Sequence, residues 1–211
     1  MVGAGGHARS VLDALRTGQE PLDAVACTDP DPGLHGGTLD GVPIVGDDEA
    51  LSLLLADGVQ LACIGVGGTG DNRPRAALYE RIEGLGFDLP TVIHGFTHVA
   101  TSAQLGPGSV VLAGAVLGAG AIVGANAIVG SGAIVEHDCR IGDHVHLASG
   151  CVLGGGVSVA TAAHVGLGAR ILQGRGVGTN AIVGAGAVVV RDVSAGETVV
   201  GAPAVRMGAG R

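Results

Sequence analysis

Aliphatic side chains recur every six residues through the second half of the chain. From Ile93 to Val189, all 17 positions reached by steps of six are Val, Ile or Leu. The fourth residue after each of them is usually Ala or Cys, and the residue directly after is often Gly. A helix has a period of 3.6 and a strand a period of 2, whereas a short strand followed by a turn gives a period of six. The pattern therefore predicts a parallel β-helix in which three such units form one triangular coil.

The first 90 residues follow a different pattern. A Gly-rich turn at residues 3–6 precedes an amphipathic helix expected from about Ala8, and one apolar strand ends at Asp29. A second strand ends in IGVGG (64–68), and NRPRAALYERIEGLG (72–86) predicts a helix closed by Gly84 or Gly86. Gly and Asp at strand ends are typical of small α/β sheets that bind nucleotides, and the start of a helix can hold phosphate. We therefore predict a Rossmann-like α/β domain over 1–90 and the β-helix over 91–211.

The opening of the chain departs from this pattern in one respect. An α/β domain of this kind has a strand before its glycine turn, yet only Met1 and Val2 precede the turn here. We expect either a nearly absent first strand or a natural start that lies upstream.

Composition narrows the possible functions. Aromatic residues make up 1% of the chain, so the core must be built from Val, Ile, Leu and Ala. A formal net charge of −8 argues against nucleic-acid binding, which needs a basic surface. No apolar run or leader resembles a membrane span or signal peptide, and the four cysteines lack C-x-x-C spacing. These features predict a cytoplasmic protein with reduced thiols and no membrane insertion.

One short segment, AIVEHDCRIGDHVHLASG (133–150), gathers ionisable side chains among Gly, Ala and Val. His137 follows the aliphatic Val135 by two positions, so we expect its side chain outside the prism. Cys139 occupies a small interior position and is interpreted as a packing residue, as is Cys151. The segment is therefore the best candidate for a chemical site.

Residues that are 18 apart should lie on successive coils, about 4.8 Å from each other. This spacing predicts that His146 stacks on His164. It also predicts a surface pair of Asn126 and His144.

Three segments carry a resemblance to a known family: GAGGHARSVLDAL, IVEHDCRIGDHVHLASGCVLGGGV and VVGAPAVRM. Together they resemble the PglD/NeuD-type sugar O-/N-acyltransferases, which have a hexapeptide-repeat left-handed β-helix. The resemblance covers essentially the whole chain. It implies an acetyl-CoA-dependent acetyltransferase that acts on a nucleotide-linked amino sugar, such as a UDP- or GDP-linked 4-amino-4,6-dideoxy hexose.

The resemblance also implies how the reaction is catalysed. His137 is the general base that takes a proton from the sugar amine as it attacks the thioester, and Asp138 raises the basicity of the imidazole. A histidine that titrates near neutrality suits this task. The thioester is already activated, so acetyl-CoA is the co-substrate and no metal is expected. Transfer is expected to be direct, because no Ser or Cys nucleophile has an adjacent base.

Binding residues follow from the same resemblance. Acetyl-CoA contacts are implied at His146, Gly155, Leu167 and Ala185, with GAPAVRM near the adenine end of CoA. Nucleotide-sugar contacts are implied at Gly5, Gly6, His7, Asp29, Gly65 and Gly67. The choice between Gly65 and Gly67 stays open. The family further implies a homotrimer with active sites between subunits, and a role in making bacterial surface polysaccharide.

Other functions remain open from the residues alone. The enzyme alternative is sugar O-acetylation, as of sialic acid, which demands more of the base because a hydroxyl is a weak acid. A zinc-dependent β-helix hydro-lyase is a second alternative, although that type of site uses two histidines five residues apart. The histidines of the ionisable segment and His164 are instead spaced by two, seven, nine and eighteen. A non-catalytic trimeric module is the third.

Overall fold

The β-helix has the predicted six-residue repeat. A computed structural model describes residues 1–208, and in it 17 two-residue strands, β4 to β20, each end on one of the predicted aliphatic residues. They are Val92–Ile93, His98–Val99, Gln104–Leu105, Val110–Val111, Val116–Leu117, Ile122–Val123, Ile128–Val129, Ile134–Val135, Arg140–Ile141, His146–Leu147, Val152–Leu153, Ser158–Val159, His164–Val165, Arg170–Ile171, Gly176–Val177, Ile182–Val183 and Val188–Val189.

These strands stack in parallel into three sheets. Each strand pairs with the strand 18 residues along, as when Ile128 faces His146 and Val129 faces Leu147. The first sheet contains β4, β7, β10, β13, β16 and β19. The second sheet contains β5, β8, β11, β14, β17 and β20, and the third contains β6, β9, β12, β15 and β18. Two further strands, β21 (Thr198–Val200) and β22 (Val205–Arg206), extend the first sheet at the C-terminal end.

The interior of the prism is aliphatic throughout. Leu117, Val135 and Leu153 are fully buried, and so are the small residues four places later, including Cys139. The repeat thus places its large and small side chains as predicted. Ile93, Val99 and Leu105 are only partly buried because they form the first coil, which has no coil beneath it.

The third residue after each aliphatic often has a left-handed backbone. Glycine fills many of these turn positions, but Asn126, Asp138 and His144 also have φ between 50° and 59°. Asn, Asp and His are the non-glycine residues that most often adopt this conformation. The geometry of the turn therefore fixes the backbone directly after His137.

The front of the chain is a small α/β unit. Its elements are α1 (Gly6–Thr17), β1 (Cys27–Thr28), a 3₁₀ turn (Pro32–Leu34), β2 (Thr38–Leu39), β3 (Val42–Gly46), α2 (Ala50–Ala56) and α3 (Arg73–Leu85). The helix α1 begins two residues before the predicted start, and α3 is closed by the left-handed Gly86, with Gly84 inside the helix. None of these helices is long and apolar enough to span a membrane in the part of the chain described here.

The first strand of the front unit is reduced to a single residue. Val2 forms parallel bridges to both Thr28 and Ile64, so it occupies the central position between two buried segments. Its amide donates to the carbonyl oxygen of Cys63 at 2.8 Å. In the described residues, the strand before the glycine turn is therefore represented by Val2 alone.

Helix α3 attaches the front unit to the β-helix through buried polar side chains. Asn72 donates from Nδ2 to the carbonyls of Ala162 and Ala163, at 3.2 and 3.0 Å. Arg75, only 2% exposed, donates to the carbonyl and Oδ1 of Asn126 and to the carbonyl of His144. No carboxylate pairs with Arg75 among residues 1–208.

This contact corrects one sequence prediction. Asn126 and His144 do stack, with Nδ2 of Asn126 2.9 Å from Nδ1 of His144. They do not form a surface pair, however, because Asn126 is 2% exposed. Helix α3 covers this edge of the prism, and six-residue periodicity carries no information about which edge another element covers.

We predict that Arg75→Ala lowers the free energy of unfolding by about 2–4 kcal/mol, because it leaves buried acceptors unpaired and opens a cavity. Denaturant unfolding measures the change. Arg73→Ala is the matched control on the same helix; its side chain is 77% exposed, so a change below about 0.5 kcal/mol is expected. Equal stability of the two variants would contradict the anchoring role of Arg75.

Candidate functional site

The side chains of His137 and Asp138 contact each other on the edge of the prism between the second and third sheets. Nδ1 of His137 lies 2.8 Å from Oδ2 of Asp138, and the two side chains are 66% and 74% exposed. With the proton on Nδ1, this N–H donates a hydrogen bond to the carboxylate of Asp138, and the lone pair of Nε2 stays free. This is the arrangement that a general base requires, with its orienting partner on the far side of the ring.

Gly155 lies on the next coil, directly beside this imidazole. A Cβ at Gly155 would stand 2.5 Å from Nε2 of His137. The imidazole of His137 can occupy this position only because residue 155 is a glycine, which has no side chain. The structure shows this steric relation for Gly155, and its predicted contact with acetyl-CoA stays a prediction.

The other three residues predicted to contact acetyl-CoA meet in one cleft. His146, Leu167 and Ala185 line a space of about 470 Å³ between the β-helix and the loop Gly68–Gly70 of the front unit. Leu167 is 59% exposed in this cleft. Because these residues come from successive coils, the cleft runs along the axis of the prism, beside the edge between the first and second sheets.

Three half-buried histidines, His7, His146 and His164, lie close to this cleft. His146 pairs with His164 in the first sheet, with ring centroids 4.9 Å apart and the rings edge to face, as the 18-residue spacing predicts. Burial lowers the pKa of His146 to about 3, with His164 and Arg75 adding to the effect, and burial lowers the pKa of His7 to about 4. These rings are therefore neutral at physiological pH.

The glycine turn of the front unit is open to solvent. Gly5 and Gly6 are exposed at the start of α1, and a Cβ at either would meet no atom within 4 Å. Oδ2 of Asp29 accepts from the amide of Ala4 at 2.8 Å, and its Oδ1 accepts from Asp31 at 3.0 Å. Asp29 thus fixes the turn, and the free amides at the helix start can approach a phosphate.

The structure distinguishes the two glycines that the sequence left open. Gly65 is buried, and a Cβ there would lie 2.6 Å from Cβ of Ala8, so its missing side chain allows α1 to pack on the strand. Gly67 is half-buried beside His7, and a Cβ there would lie 3.4 Å from Cγ of the histidine. Of the two glycines, only Gly67 borders a polar side chain predicted to contact substrate.

Within one chain the predicted base and the predicted CoA cleft lie on different edges. His137 is on the edge between the second and third sheets, and the cleft follows the edge between the first and second. The resemblance implied active sites between subunits, and such sites require this kind of separation within one chain; Arg75, in contrast, was missed by sequence reasoning. A signal for Arg75 existed, since Arg75, Tyr79 and Ile82 are spaced as one buried face of α3.

The part of the chain that the structure describes has no cluster of side chains suited to bind a metal ion. No group of three or more His, Cys, Asp and Glu side chains within residues 1–208 is arranged to hold an ion.

Comparisons with known proteins agree with this architecture. Residues 1–82 match the PglD N-terminal domain, and residues 120–155 match the bacterial transferase hexapeptide of six repeats. The chain is 40% identical to PerB from Caulobacter crescentus, solved with CoA and GDP-perosamine; the TM-score is 0.91, and 98% of this chain and 95% of that chain are covered. It is 34% identical to the acetyltransferase domain of PglB from Neisseria gonorrhoeae, with a TM-score of 0.84 over 98% and 97% of the chains.

The chain belongs to the PglD/NeuD-type sugar acyltransferases. This membership confirms the predicted α/β domain followed by a left-handed β-helix of hexapeptide repeats. No curated protein sequence matches the chain significantly.

We predict that lowering the pH from 7 to 5 reduces the free energy of unfolding of this acyltransferase. Unfolded histidines titrate near 6.5, whereas the pKa of His7 is about 4 and that of His146 about 3 in the fold. Below pH 6.5 the unfolded chain therefore binds more protons and is favoured, by up to about 1.4 kcal/mol per pH unit for each histidine. Denaturant unfolding at several pH values measures the slope.

Two leucine variants test the origin of this pH dependence. His146→Leu removes a half-buried histidine whose pKa is lowered in the fold, and it is expected to flatten the slope. His98→Leu removes an exposed one and is expected to leave the slope unchanged. An unaltered slope in His146→Leu would show that other groups cause the pH dependence.

We predict that Gly155→Ala lowers acyl-transfer turnover about 10- to 100-fold, because the new methyl group displaces the imidazole of His137. Stability should stay close to wild type, since the displaced ring is exposed. Gly176→Ala is the matched control, because the nearest atom to its Cβ would be 3.5 Å away. Steady-state assays of both variants measure the effect, and full turnover in Gly155→Ala would contradict the required ring position.

Proposed function

We propose that this protein transfers the acetyl group of acetyl-CoA to the amine of a nucleotide-linked 4-amino-4,6-dideoxy hexose. The observation that carries the proposal is the exposed His137–Asp138 pair, whose Nε2 is free to accept a proton. Among the comparisons, PerB supports this proposal, because it was solved with CoA and GDP-perosamine. An N-acetyltransferase is therefore favoured over the sugar O-acetyltransferase.

The reaction follows from this pair with atoms and protons in balance. The neutral sugar amine attacks the thioester carbonyl, a C–N bond forms, and Nε2 of His137 takes one proton from nitrogen. The imidazolium is stabilised by the carboxylate of Asp138. When the tetrahedral intermediate collapses, the C–S bond breaks and the leaving thiolate takes the proton back from His137. The products are the amide and CoA thiol, and no covalent enzyme intermediate is needed.

Variants of a relative support a histidine that acts in catalysis rather than binding. The Caulobacter enzyme was solved with one histidine changed to Asn and with a histidine changed to Ala, each in complex with CoA and GDP-perosamine. Loss of that side chain therefore leaves both ligands bound. We assign the corresponding catalytic role here to His137, with Asp138 as its partner.

The two ligands have separate proposed sites. The nucleotide sugar binds the front domain, about residues 1–90, at Gly5, Gly6, His7, Gly67 and the turn fixed by Asp29. Acetyl-CoA binds the cleft at His146, Leu167 and Ala185, and GAPAVRM lies toward its adenine end. Gly155 lies beside the imidazole of His137, and its lack of a side chain leaves room for that ring. We place the acetyl group of acetyl-CoA next to Gly155.

We propose that the active protein is a homotrimer. The outward positions of the second sheet are mostly apolar, with Val116, Ile134, Val152 and Val188 half-buried in the single chain. Such a stripe is suited to face a threefold axis, where the three prisms bury it together.

This arrangement would also complete the active site. The second sheet is bounded by the edge that carries His137 and by the edge beside the CoA cleft. Around a threefold axis, one bounding edge of each prism must meet the other bounding edge of its neighbour. The His137 edge of one subunit would therefore face the CoA cleft of the next, which explains why a single chain separates them.

The cell compartment and pathway follow from the proposed chemistry. Both proposed substrates, acetyl-CoA and a nucleotide sugar, are cytoplasmic metabolites. We therefore place the reaction in the cytoplasm, in the supply of acetylated sugars for bacterial surface polysaccharide.

We predict that His137→Asn lowers turnover by about 10²- to 10⁴-fold, the contribution of general base catalysis, with the Kd for CoA nearly unchanged. Asp138→Asn should lower turnover by about tenfold, because it removes the charge that stabilises the imidazolium. Thiol release from acetyl-CoA with UDP- and GDP-linked 4-amino sugars measures both. Near-normal turnover in His137→Asn would contradict the mechanism, and release only with hydroxyl acceptors would contradict N-acetylation.

We predict that Val152→Glu disrupts the trimer and lowers turnover at least tenfold, because it places a charge in the proposed apolar interface. Analytical ultracentrifugation measures the oligomeric mass. Ser158→Glu places the same charge at an exposed outward position of the third sheet and should leave mass and turnover unchanged. A trimeric, fully active Val152→Glu variant would contradict this interface.

A further inference from the structure

An apolar groove in the front unit lies apart from the proposed CoA cleft. It has a volume of about 380 Å³, and two chain segments, residues 24–26 and 60–63, border it. Leu22, Val25 and Leu61 line the groove and are exposed to solvent. Large apolar side chains that stand exposed together around a groove mark a surface that another segment covers.

The groove continues the line of the strand that contains Val2. Val2 forms parallel bridges to Thr28 and Ile64, and the two bordering segments run back from these residues on either side of Met1. Neighbouring strands lie about 4.8 Å apart, so two segments that flank the same strand are separated by about 9–10 Å. This separation admits one extended chain between them and no second one.

Backbone groups along the groove have no hydrogen-bond partner. The amide of Val2 donates to the carbonyl of Cys63, and the nitrogen of Met1 donates to the carbonyl of Ala26. Among residues 1–208, the amides of Cys63 and Ala26 and the carbonyl of Leu61 make no hydrogen bond. Because hydrogen bonds recur at regular steps along a parallel pair, these are the groups that the preceding residues of the same strand would engage.

The amino group of Met1 occupies a place that suits a peptide amide. Its nitrogen is partly buried and lies 2.7 Å from the carbonyl oxygen of Ala26. Burial lowers the pKa of this amino group below its ordinary value, and no carboxylate pairs with it among the described residues. A peptide bond at this nitrogen would keep the hydrogen bond and remove the cost of burying a charge.

The two faces of the groove specify the side chains of its occupant. Val2 packs in one cluster with Leu51 and Phe87, whereas Met1 packs against another cluster, which contains Leu15. Successive side chains of a strand point to opposite faces. The residue directly before Met1 would therefore face the first cluster, and the residue before that would face the second. Both faces are apolar, and strands buried on both faces are continuous apolar runs.

We propose that the groove holds an extended strand of about three apolar residues that precedes Met1 in the natural polypeptide. The backbone of this strand pairs with Leu61 and Cys63 on one side and with Ala26 on the other. A segment of the same chain is favoured over a separate peptide, because the covalent link avoids the loss of translational and rotational freedom on association. The inference does not depend on the proposed reaction.

Three N-terminal extensions of the full chain test the fit of such a strand. Each adds an initiator methionine and three residues directly before Met1. Val-Ile-Val supplies the apolar strand, and Ser-Gly-Ser is the polar control of equal length. Val-Ile-Pro stays apolar but removes the amide that would donate to the carbonyl of Leu61.

Thermal unfolding and amide hydrogen exchange are the measurements. We expect Val-Ile-Val to raise the midpoint of thermal unfolding by about 4–8 °C, because it buries apolar side chains. It should also slow the exchange of the Ala26 and Cys63 amides at least about tenfold. Ser-Gly-Ser should leave the midpoint within about 1 °C, and Val-Ile-Pro should give at most about half of the gain. Equal midpoints for Val-Ile-Val and Ser-Gly-Ser, or unchanged exchange at both amides, would overturn the inference.

Two further measurements identify the occupant. Mass spectrometry of the protein purified from its source organism gives its first residue, and we expect apolar residues directly before Met1. A native chain that begins at Met1 or Val2, or one with polar residues directly before Met1, would contradict the proposed occupant. The peptide acetyl-Val-Ile-Val, added to the chain without an extension, should leave the midpoint unchanged. An equal rise with this peptide would show that the groove binds a separate chain instead.

Discussion

The hydrogen bonds between successive coils are the constraint on which the rest of this structure depends. The amide of Val110 donates to the carbonyl of Ala127, and the same 17-residue step recurs from Gly124 to Ile141 and from Ile134 to Cys151. Because these bonds fix each strand against the strand 18 residues along, they also fix which outward side chains are neighbours. The pairing of His146 with His164 is a direct consequence, and so is the position of His137 beside Gly155.

The buried cation of Arg75, together with Asn72, joins the prism to the front domain. Arg75 has only neutral acceptors around it; burial lowers the pKa of His7, His146 and His164, and the charge of Arg75 lowers each of them further. A buried charge without a counter-ion is costly unless hydrogen bonds compensate it. The same residue thus anchors α3 and adds to the effect of burial on the histidines near the proposed CoA cleft, while the exposed His137 lies on another edge beside the carboxylate of Asp138.

The separation of the proposed base and the proposed CoA cleft on two edges would give the proposed trimer a role in catalysis. One chain has the exposed His137, the proposed base, on one edge and the proposed CoA cleft on another, and the apolar second sheet lies between them. In the proposed trimer, burial of that sheet and completion of the active site would be the same event. Stability and activity would then depend on the same outward valine and isoleucine side chains.

Much of this molecule follows from its sequence because six-residue periodicity is a local rule. The repeat determined the strands from Val92 to Val189, the interior place of Cys139, the outward place of His137 and the stacking of His146 on His164. Only the tertiary structure decided how the non-periodic front domain meets the prism. The insertion of Arg75 beside Asn126 and the packing role of Gly65 both arise at that contact or close to it. They depend on where α1, α3 and the Gly68–Gly70 loop lie in space. The six-residue repeat is the same on all three edges of the prism, so it does not specify which edge the front domain covers.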